Sequence, residues 1–282
     1  ILAVYKKNAV PKDILDKCRV SFRKSISVSN NRGQAAGPLP ADLKIGDKFN
    51  GLTVGKIGKN RFYPLLASGK LSKSPKAKAV HSSIIGFSDR YPRIPYCRRT
   101  VFTQNNWKHY NRCLPYVKCV DNFFAKYAPK RYKVQRKLAD KTSKDFVIND
   151  TAFTTVTVNK NFRTAGHYDN GDLKEGFGNL GVISQGKYDG GITVIPRYGV
   201  GLDLKDGDLA IFDVHELHGN TEIIRKSFYE RISVVCYYRE KMIYCGNADY
   251  ELNRAKTNTK KIALPEELEK AKKIKESIVK EL

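Results

Sequence analysis

The stretch Gly166-His167-Tyr168-Asp169-Asn170-Gly171-Asp172 contains a His-x-Asp pair, and a second histidine able to bind a metal, His218, follows later in the chain. Two imidazoles and one carboxylate form the facial triad that holds Fe(II) and leaves coordination positions open for a cosubstrate and O2. Arg231 comes after His218, and Ser233 follows it. The planar fork of an arginine suits the far carboxylate of 2-oxoglutarate. These residues therefore predict an oxygenase that depends on Fe(II) and 2-oxoglutarate.

A His-x-Asp pair alone is weak evidence, because the same residues also occur solvated or capping an ordinary turn. The flanking sequence favours strands, which are enriched in Val, Ile, Thr and aromatic residues. Such runs occupy residues 146–148, 151–158, 190–196, 204–212 and 231–238. Within the fourth run, Asp206-Gly207 is a strong signal for a hairpin turn between apolar segments.

Metal ligands at the ends of antiparallel strands, with the arginine on a later strand, form the arrangement that a jelly-roll oxygenase needs. The predicted fold class is therefore mainly β with flanking helices (α+β). Its core is predicted to be a double-stranded β-helix of the jelly-roll or cupin-like type.

The bulk composition indicates a globular protein. The chain has 282 residues and 41% hydrophobic content, which is enough to bury a substantial core. No apolar run approaches the roughly 20 residues that span a bilayer, and residues 1–10 lack the apolar segment of a secretion signal. We therefore expect a soluble, cytoplasmic protein, and we expect the native N-terminus to precede Ile1.

The cysteines show no tight framework. They are Cys18, Cys97, Cys113, Cys119, Cys236 and Cys245, and no two of them form a CxxC pair. In a chain without a secretion signal, reduced thiols are the expected state. The spacing does not support a structural zinc site.

The charge is strongly positive. The chain carries 52 Lys and Arg against 28 Asp and Glu, for a net charge of +24. Such an excess indicates a polyanionic partner, with nucleic acid first, although a generally basic solvated surface gives the same total. Basic residues concentrate in residues 56–78, 90–99 and 130–137, interleaved with Tyr and Phe. Basic side chains beside aromatics can bind phosphates and stack on bases.

Three parts are predicted along the chain. Residues 1–139 form a basic region whose helices pack on the core and whose loops contact DNA. Residues 140–246 form the β-helix core, and residues 247–282 form a charged terminal helix that begins near Pro265. Apolar and aromatic residues at helical spacing predict an amphipathic helix over 107–127, ending before Pro129.

Several segments together resemble the TET/JBP family of nucleic-acid base oxygenases, and in particular the branch encoded by bacteriophages and related microbial genomes. The segments are residues 151–163, 167–172, 176–180 and 213–221, supported by 32–37 and 93–98. The similarity therefore runs from about residue 30 to 246. Members of this family oxidise the 5-methyl group of a pyrimidine in DNA, either 5-methylcytosine or thymine.

The resemblance implies His167, Asp169 and His218 as Fe(II) ligands, and Arg231 as the anchor of 2-oxoglutarate, with Ser233 beside it. The cofactors would be Fe(II), 2-oxoglutarate and O2. His215 is a competing ligand, but a His-Gly pair after a loop is the usual form of the distal ligand in similar oxygenases. We therefore prefer His218 and expect His215 to have a supporting role.

Asp172 occupies the position where TET-like enzymes carry a polar residue that reads the base. A carboxylate accepts a hydrogen bond from the N4 amine of cytosine, whereas thymine presents an acceptor, O4, at that place. This favours hydroxylation of 5-methylcytosine to 5-hydroxymethylcytosine. A simple turn-capping role for Asp172 is the alternative.

The resemblance also implies that Arg32, Gln34, Tyr237 and Arg239 contact the substrate. Tyr237 matches the aromatic that stacks on the base, but it is equally well an ordinary strand tyrosine. Arg239 stands where TET relatives carry a base-reading histidine. The substrate nucleotide would be flipped out of the duplex, the protein would be a monomer, and the site of action would be the cytoplasm of an infected bacterium if a phage encodes the chain.

Other functions remain open from the sequence. A thymine hydroxylase would produce 5-hydroxymethyluracil with the same residues. A protein or small-molecule hydroxylase can use the same fold, since a fold does not fix a substrate. A DNA-binding module with a degenerate metal site is the non-enzymatic alternative, which the intact triad and Arg231 argue against.

Overall fold

The computed structural model describes residues 2–257 and 261–280. In this part of the chain the strands are β1 (Ala3–Lys6), β2 (Val28–Ser29), β3 (Lys48–Phe49), β4 (Leu52–Ile57), β5 (Phe62–Pro64), β6 (Val80–Ser88), β7 (Arg98–Arg99), β8 (Thr155–Lys160), β9 (Gly178–Gly190), β10 (Thr193–Ile195), β11 (Val200–Leu202), β12 (Leu209–Phe212), β13 (Gly219–Asn220) and β14 (Ile223–Tyr237). The helices are α1 (Lys12–Ser25), α2 (Val101–Asn105), α3 (Trp107–Tyr127), α4 (Pro129–Lys141), α5 (Ala248–Lys256) and α6 (Pro265–Lys280).

The main sheet is antiparallel and has the order β1-β12-β9-β14-β8-β6-β2, with β7 beside β6. Side chains alternate between the two faces of each strand. On β14, Ile232, Val234 and Cys236 point to a core shared with the helices, while Val235 packs against a second core. The two faces of one strand thus serve two different layers.

A smaller sheet, β11-β10-β13, faces the main sheet. Leu180, Val182 and Phe212 from the main sheet meet Ile195 and Leu202 from the smaller one in a compact apolar core. Two facing antiparallel sheets with helices on the outer side form the double-stranded β-helix that the sequence predicts. The predicted fold class is confirmed.

The turn at Asp206-Gly207 does not make the predicted hairpin. β11 pairs with β10 in the smaller sheet, whereas β12 pairs with β1 and β9 in the main sheet. Gly207 adopts a positive φ of 80°, and the Asp206 carboxylate accepts a hydrogen bond from the Ser184 backbone N–H at 2.7 Å. Asp206-Gly207 therefore forms a turn as expected, but this turn connects the smaller sheet to the main sheet instead of joining two paired strands.

Residues 146–148 are not a strand either. A single 3-10 turn covers Lys144–Phe146, and β8 begins at Thr155 rather than at 151. Phe146 and Ile148 are buried, and the Phe146 ring lies edge-on to Phe87 with centroids 5.8 Å apart. The apolar residues therefore reflect core packing rather than strand pairing.

The predicted helix over residues 107–127 coincides with α3, and this prediction is confirmed. Its Tyr116 and Phe124 side chains are fully buried, as expected for core residues at helical spacing. α3 packs against α1, and Tyr116 meets Phe22 of α1 edge-on with ring centroids 5.2 Å apart. The two helices cover the outer face of the main sheet.

The stretch before residue 140 contributes strands as well as helices, since β1, β2 and β6 lie in the main sheet. α6 begins at Pro265 as predicted, but one face of it is buried through Ala271 and Ile278. The division at 139/140 and 246/247 stays a prediction. Residues 1, 258–260 and 281–282, which belong to the predicted terminal segments, lie outside the described residues.

Cys97 and Cys245 form a disulfide, so the expectation of reduced thiols is wrong for this pair. Their Cα atoms are 5.8 Å apart although 148 residues separate them in sequence. The fold brings them together, and spacing along the chain carries no sign of it. Among the described residues, Cys18, Cys113, Cys119 and Cys236 are free. No helix in the described part of the chain is long and apolar enough to cross a membrane.

Candidate metal centre and substrate cavity

A cavity of about 430 Å³ opens between the two sheets. This volume is in the range of ordinary small-molecule sites. All the residues predicted from the sequence to act in the site line it, namely His167, Asp169, His218, Arg231, Ser233, Asp172, Tyr237, Arg239, Arg32 and Gln34. The fold therefore gathers them from four separate stretches of the chain.

His167, Asp169 and His218 form a compact group of possible metal ligands. The Nε2 atoms of His167 and His218 lie 3.4 and 3.7 Å from the two carboxylate oxygens of Asp169. The ligand atoms of all three residues lie within 4.8 Å of one another. The backbones of His167 and His218 also pair, through N–H···O bonds of 2.9 and 3.1 Å, which fixes the two loops side by side.

Both imidazoles are oriented by the backbone. His167 Nδ1 lies 2.9 Å from the Ala165 carbonyl oxygen, and His218 Nδ1 lies 2.9 Å from that of Glu216. An Nδ1–H that donates to a carbonyl leaves Nε2 as the free lone pair, which is how metal-binding histidines are usually held. Two imidazole nitrogens and a carboxylate oxygen on one side of a cavity fit the donor set of Fe(II).

The three ligands shift one another's pKa. Burial alone would raise the pKa of Asp169, but the hydrogen bond from His167 and the neighbouring imidazoles hold the pKa below its usual value. Burial would lower the pKa of His167, but the hydrogen bond and the charge of Asp169 raise it, whereas burial and the nearby His167 lower the pKa of His218. A metal coordinates an ionised carboxylate and neutral imidazoles, so its binding would take the place of a proton on Nε2 of His167.

His215 lies outside this group. Its Nδ1 is 3.2 Å from the Asp213 carboxylate, and its Nε2 is 3.3 Å from the carbonyl oxygen of Asp172. Both ring nitrogens are therefore engaged away from Asp169. His215 therefore connects the loop that carries His218 to the loop that carries His167 and Asp169.

Arg231 projects from the same face of β14 as Ser233, Val235 and Tyr237, because side chains alternate along a strand. It is only 3% exposed, and its guanidinium donates to the Gly191 carbonyl oxygen at 3.1 Å. Its Nε has no hydrogen-bond partner, and no carboxylate among the described residues pairs with it. Burial lowers the pKa of Arg231. A buried cation without a counterion is costly, so this position suits an anionic ligand.

Tyr188 is a neighbour of Arg231 that the sequence reasoning missed. Its hydroxyl is buried without a hydrogen-bond partner, and its proximity raises the pKa of Arg231 against the effect of burial. Its ring lies between Lys205 and Tyr229, 4.9 Å from the Lys205 ammonium. The pairing of β9 with β14 shifts register between Arg225 and Tyr229, and Tyr188 and Arg231 lie on opposite sides of this shift. Regular alternation of side chains along the two strands therefore does not predict that Tyr188 lies near Arg231.

The residues predicted to read the base line the cavity near the triad. Asp172 is 9% exposed, and burial together with the nearby Asp169 raises its pKa well above the usual value. The Nε–H of Arg239 donates to the Asp89 carboxylate at 2.7 Å, and this ion pair offsets the charge of Arg239. Tyr237 is buried, and its hydroxyl lies 3.0 Å from that of Thr157. This hydrogen bond holds the Tyr237 ring in the wall of the cavity.

Arg32 and Gln34 line the cavity from the segment before β3, where a short 3-10 helix covers Gly33–Ala36. Arg32 donates from Nη2 to the Ser83 carbonyl oxygen at 2.9 Å, and its Nε is unpaired. Burial lowers the pKa of Arg32, and the nearby Tyr237 and Asp169 oppose this effect. Gln34 is exposed.

The β-helix core and the three-ligand group define an oxygenase domain of the 2-oxoglutarate- and Fe(II)-dependent superfamily. The model of the Tet_JBP family, an oxygenase domain of that superfamily, matches residues 83–240. The chain belongs to this family, as the motifs predict. Oxygenases of the superfamily use Fe(II), 2-oxoglutarate and O2, and the His167, Asp169 and His218 group fits that requirement.

The chain is similar to the bifunctional helicase and thymine dioxygenase JBP2 of Leishmania major, with 37% identity over 240 residues. The match covers 85% of this chain and 18% of that protein. It is also similar to the thymine dioxygenase JBP1 of Trypanosoma brucei brucei, with 36% identity over 166 residues, covering 56% of this chain and 19% of JBP1. The chain thus spans about a fifth of the length of these relatives.

Among solved structures, the chain is similar to NgTET1 in complex with 5mC DNA, at 12% identity and a TM-score of 0.43. That match covers 89% of this chain and 99% of NgTET1.

Proposed function

We propose that this domain hydroxylates the 5-methyl group of a pyrimidine in DNA. The observation that carries the proposal is the single cavity that combines a three-ligand metal group with the buried, unpaired Arg231. The net charge of +24 supports a polyanionic substrate. The relatives are named as thymine dioxygenases, which supports a DNA base as the target.

The proposed roles follow from the positions of the side chains. His167, Asp169 and His218 would hold the iron, and Arg231 with Ser233 would bind the distal carboxylate of 2-oxoglutarate. Iron, 2-oxoglutarate and O2, when bound, supply the oxidation that replaces a methyl hydrogen by a hydroxyl group. The protein orients the methyl group toward the triad and excludes water from the closed end of the cavity.

A base stacked inside a duplex cannot enter a cavity between two sheets, so the target nucleotide would be flipped out of the stack. Tyr237 offers a fixed aromatic wall for the base, and Asp172 lies beside the triad where a base edge would end. Arg32, Gln34 and Arg239 surround the entrance of the proposed base pocket.

We propose thymine as the first candidate base, with 5-hydroxymethyluracil as the product, because JBP2 of Leishmania major, which is named as a thymine dioxygenase, matches 85% of this chain at 37% identity. The second candidate is 5-methylcytosine, which Asp172 favours when it is ionised, because a carboxylate would accept from the cytosine N4 amine. Burial and the nearby Asp169 raise the pKa of Asp172, which favours the protonated acid, and that form would donate to thymine O4. The two candidates require the same metal and cosubstrate residues and differ only at the base edge.

One reaction tests both candidates. Duplex DNA containing thymine and 5-methylcytosine is incubated with the protein, Fe(II) and 2-oxoglutarate, and the nucleosides are quantified by mass spectrometry. We expect 5-hydroxymethyluracil in excess. Predominant 5-hydroxymethylcytosine would establish the second candidate instead. Succinate formation that DNA does not stimulate, with neither modified base, would contradict a DNA substrate altogether.

Asp172→Asn is expected to raise the ratio of 5-hydroxymethyluracil to 5-hydroxymethylcytosine. The amide nitrogen always offers a donor to thymine O4, whereas the Asp172 carboxyl group does so only when it is protonated, and one base-edge contact changes discrimination by about 1–3 kcal/mol. The ratio should rise by about tenfold, measured by the same nucleoside analysis. Binding of 2-oxoglutarate to the iron-loaded variant serves as the control and should equal that of the wild type. An unchanged product ratio would mean that Asp172 only caps its turn.

Tyr188→Phe is expected to weaken binding of 2-oxoglutarate about three- to tenfold, because one hydrogen bond at the Arg231 end of the site is worth about 0.5–1.5 kcal/mol. Calorimetry on the iron-loaded protein measures the change. Tyr229→Phe, on the neighbouring ring, is the matched control and should bind normally. An equal loss for a 2-oxo acid that lacks the distal carboxylate would contradict a role of Tyr188 at that carboxylate.

A further inference from the structure

A basic arm, defined as residues 44–78, stands apart from the rest of the chain in composition. It has one acidic residue, Asp47, and its basic residues are Lys44, Lys48, Lys56, Lys59, Arg61, Lys70, Lys73, Lys76 and Lys78. It also precedes residues 83–240, the part matched by the family model. Its function is therefore not given by the oxygenase core that the family shares.

The basic arm folds as a small separate sheet. Among the described residues, β3, β4 and β5 pair with one another and with no strand of the two sheets that enclose the cavity. The chain then turns back at residues 66–70, where Leu66 N–H donates to the Lys70 carbonyl oxygen at 2.9 Å, and returns so that Lys76 pairs with Phe62. The result is a hairpin that projects beyond β5.

The positive charge of the basic arm is not neutralised within the protein. Among the described residues, no carboxylate forms an ion pair with a lysine or arginine of the arm, and the Asp47 carboxylate accepts from the Lys44 backbone N–H instead. The situation on the helices is different. Lys12 pairs with Asp16, and Lys272 with Glu276, one turn away. Exposed cations that lack internal partners are available to an external polyanion.

The base of the hairpin lies at the mouth of the substrate cavity. Arg61 lines that cavity, and its guanidinium approaches so closely to Gly33 that a Cβ there would lie 2.6 Å from Nη2. Ala77 N–H donates to the Asn30 carbonyl oxygen at 2.7 Å, and Lys76 donates to the Asn31 side chain. The arm is thus fastened to the loop that carries Arg32, at the entrance proposed for the flipped base.

We propose that the basic arm clamps the phosphate backbone of duplex DNA beside the flipped nucleotide, with Arg61 at the phosphate nearest the cavity. The inference rests on the proposed function in taking DNA as the substrate. From Phe62 to Leu66 the hairpin extends roughly 13 Å by strand geometry. The phosphates of one strand are spaced about 3.4 Å apart along the helix axis. A hairpin of this length that lies parallel to the axis would therefore pass about four phosphates of one strand.

The test compares two triple variants that remove equal charge. Lys70, Lys73 and Lys78, all exposed on the arm, are replaced by alanine in one; Lys270, Lys272 and Lys273, all exposed on α6, are replaced in the other. Binding of the iron- and 2-oxoglutarate-loaded proteins to a labelled duplex is measured by fluorescence anisotropy at several salt concentrations. The slope of log K against log salt reports the number of phosphates contacted, at about 0.9 per phosphate.

The arm variant should bind the duplex more weakly, with a slope reduced by about 0.9 for each lysine that contacts a phosphate. The α6 variant should keep the slope of the wild type. Equal slopes for the two variants would overturn the inference, because DNA binding would then depend only on the net charge of the protein and not on the position of the lysines. An arm variant that loses affinity for heparin as much as for DNA would also overturn it, since the arm would then be a general polyanion site.

The outcome is separable from that of the proposed function. Lost duplex binding by the arm variant, together with no hydroxylated base from the wild type, supports the clamp and removes the proposed reaction. Hydroxylated bases from both proteins, at an equal KM for DNA, overturn the clamp and leave the reaction intact. Binding of 2-oxoglutarate should be the same in all three proteins, since none of the replaced lysines lines the cavity.

Discussion

Replacement of His167, Asp169 or His218 by alanine should abolish turnover and weaken iron binding by more than about 100-fold. Each change removes one of three protein ligands, and even the outer residues that orient such ligands cost 10- to 100-fold in metal affinity when they are lost. Iron content after equilibrium dialysis against a metal buffer measures the effect directly. Hydroxylated nucleosides, quantified by mass spectrometry, measure the turnover.

His215→Ala is the matched control, because it removes an imidazole from the same loop without touching the group around Asp169. Both nitrogens of His215 are engaged by Asp213 and the Asp172 carbonyl. The variant should keep its iron and lose activity modestly, through looser placement of the two loops. Retention of iron by His218→Ala together with its loss in His215→Ala would reverse the assignment of the distal ligand.

The triad was predictable because metal chemistry restricts the residues that can take part. A His-x-Asp pair, a later histidine and a following arginine are visible in a linear sequence, and strand-forming runs around them indicate the fold. In the structure, His167 and His218 are joined by paired backbone hydrogen bonds, and Arg231 sits on the face of β14 that strand alternation predicts.

Contacts that depend on the path of the chain could not be predicted. The disulfide joins Cys97 and Cys245 across 148 residues. The segment before β7 and α5 also contact each other, since Cys97 N–H donates to Glu251 and Arg254 donates to the Pro95 carbonyl oxygen. The turn at Asp206-Gly207 has hairpin chemistry, but strand partners are chosen by how the two sheets wrap around one core. Tyr188 reaches Arg231 because an irregularity in the β9–β14 ladder shifts the register.

The residues predicted to read the base show a third limit of sequence analysis. Arg239 is visible in the sequence, but its charge is directed to Asp89, a residue that no motif pointed to. Asp89 precedes Arg90, which is fully buried and paired with Glu251 and Glu267 from α5 and α6. The terminal helices therefore support the wall of the cavity from behind, although residues 247–282 offered no functional candidate in the sequence.

Arg231→Ala should weaken binding of 2-oxoglutarate by about 30-fold to several thousand-fold. Truncating one partner of a buried charge pair costs about 2–5 kcal/mol, and each 1.4 kcal/mol corresponds to a factor of ten. The large effect is expected because the guanidinium is 3% exposed and no carboxylate among the described residues competes for it. Calorimetric titration of the iron-loaded protein measures the dissociation constant without any need for the DNA substrate.

The melting temperature of the protein gives an independent measure of the role of Arg231 in binding 2-oxoglutarate. A ligand that binds only the folded state stabilises it by an amount that grows with the logarithm of the ligand concentration divided by the dissociation constant. At a concentration that saturates only the wild type, 2-oxoglutarate should therefore raise the melting temperature of the wild type and not that of Arg231→Ala. Without the ligand, the variant should melt no lower than the wild type, because it loses a buried cation that has no counterion. A 2-oxo acid lacking the distal carboxylate is the control, and it should bind both proteins equally. Normal affinity of Arg231→Ala for 2-oxoglutarate would remove Arg231 from the cosubstrate site and leave its burial without a functional reason.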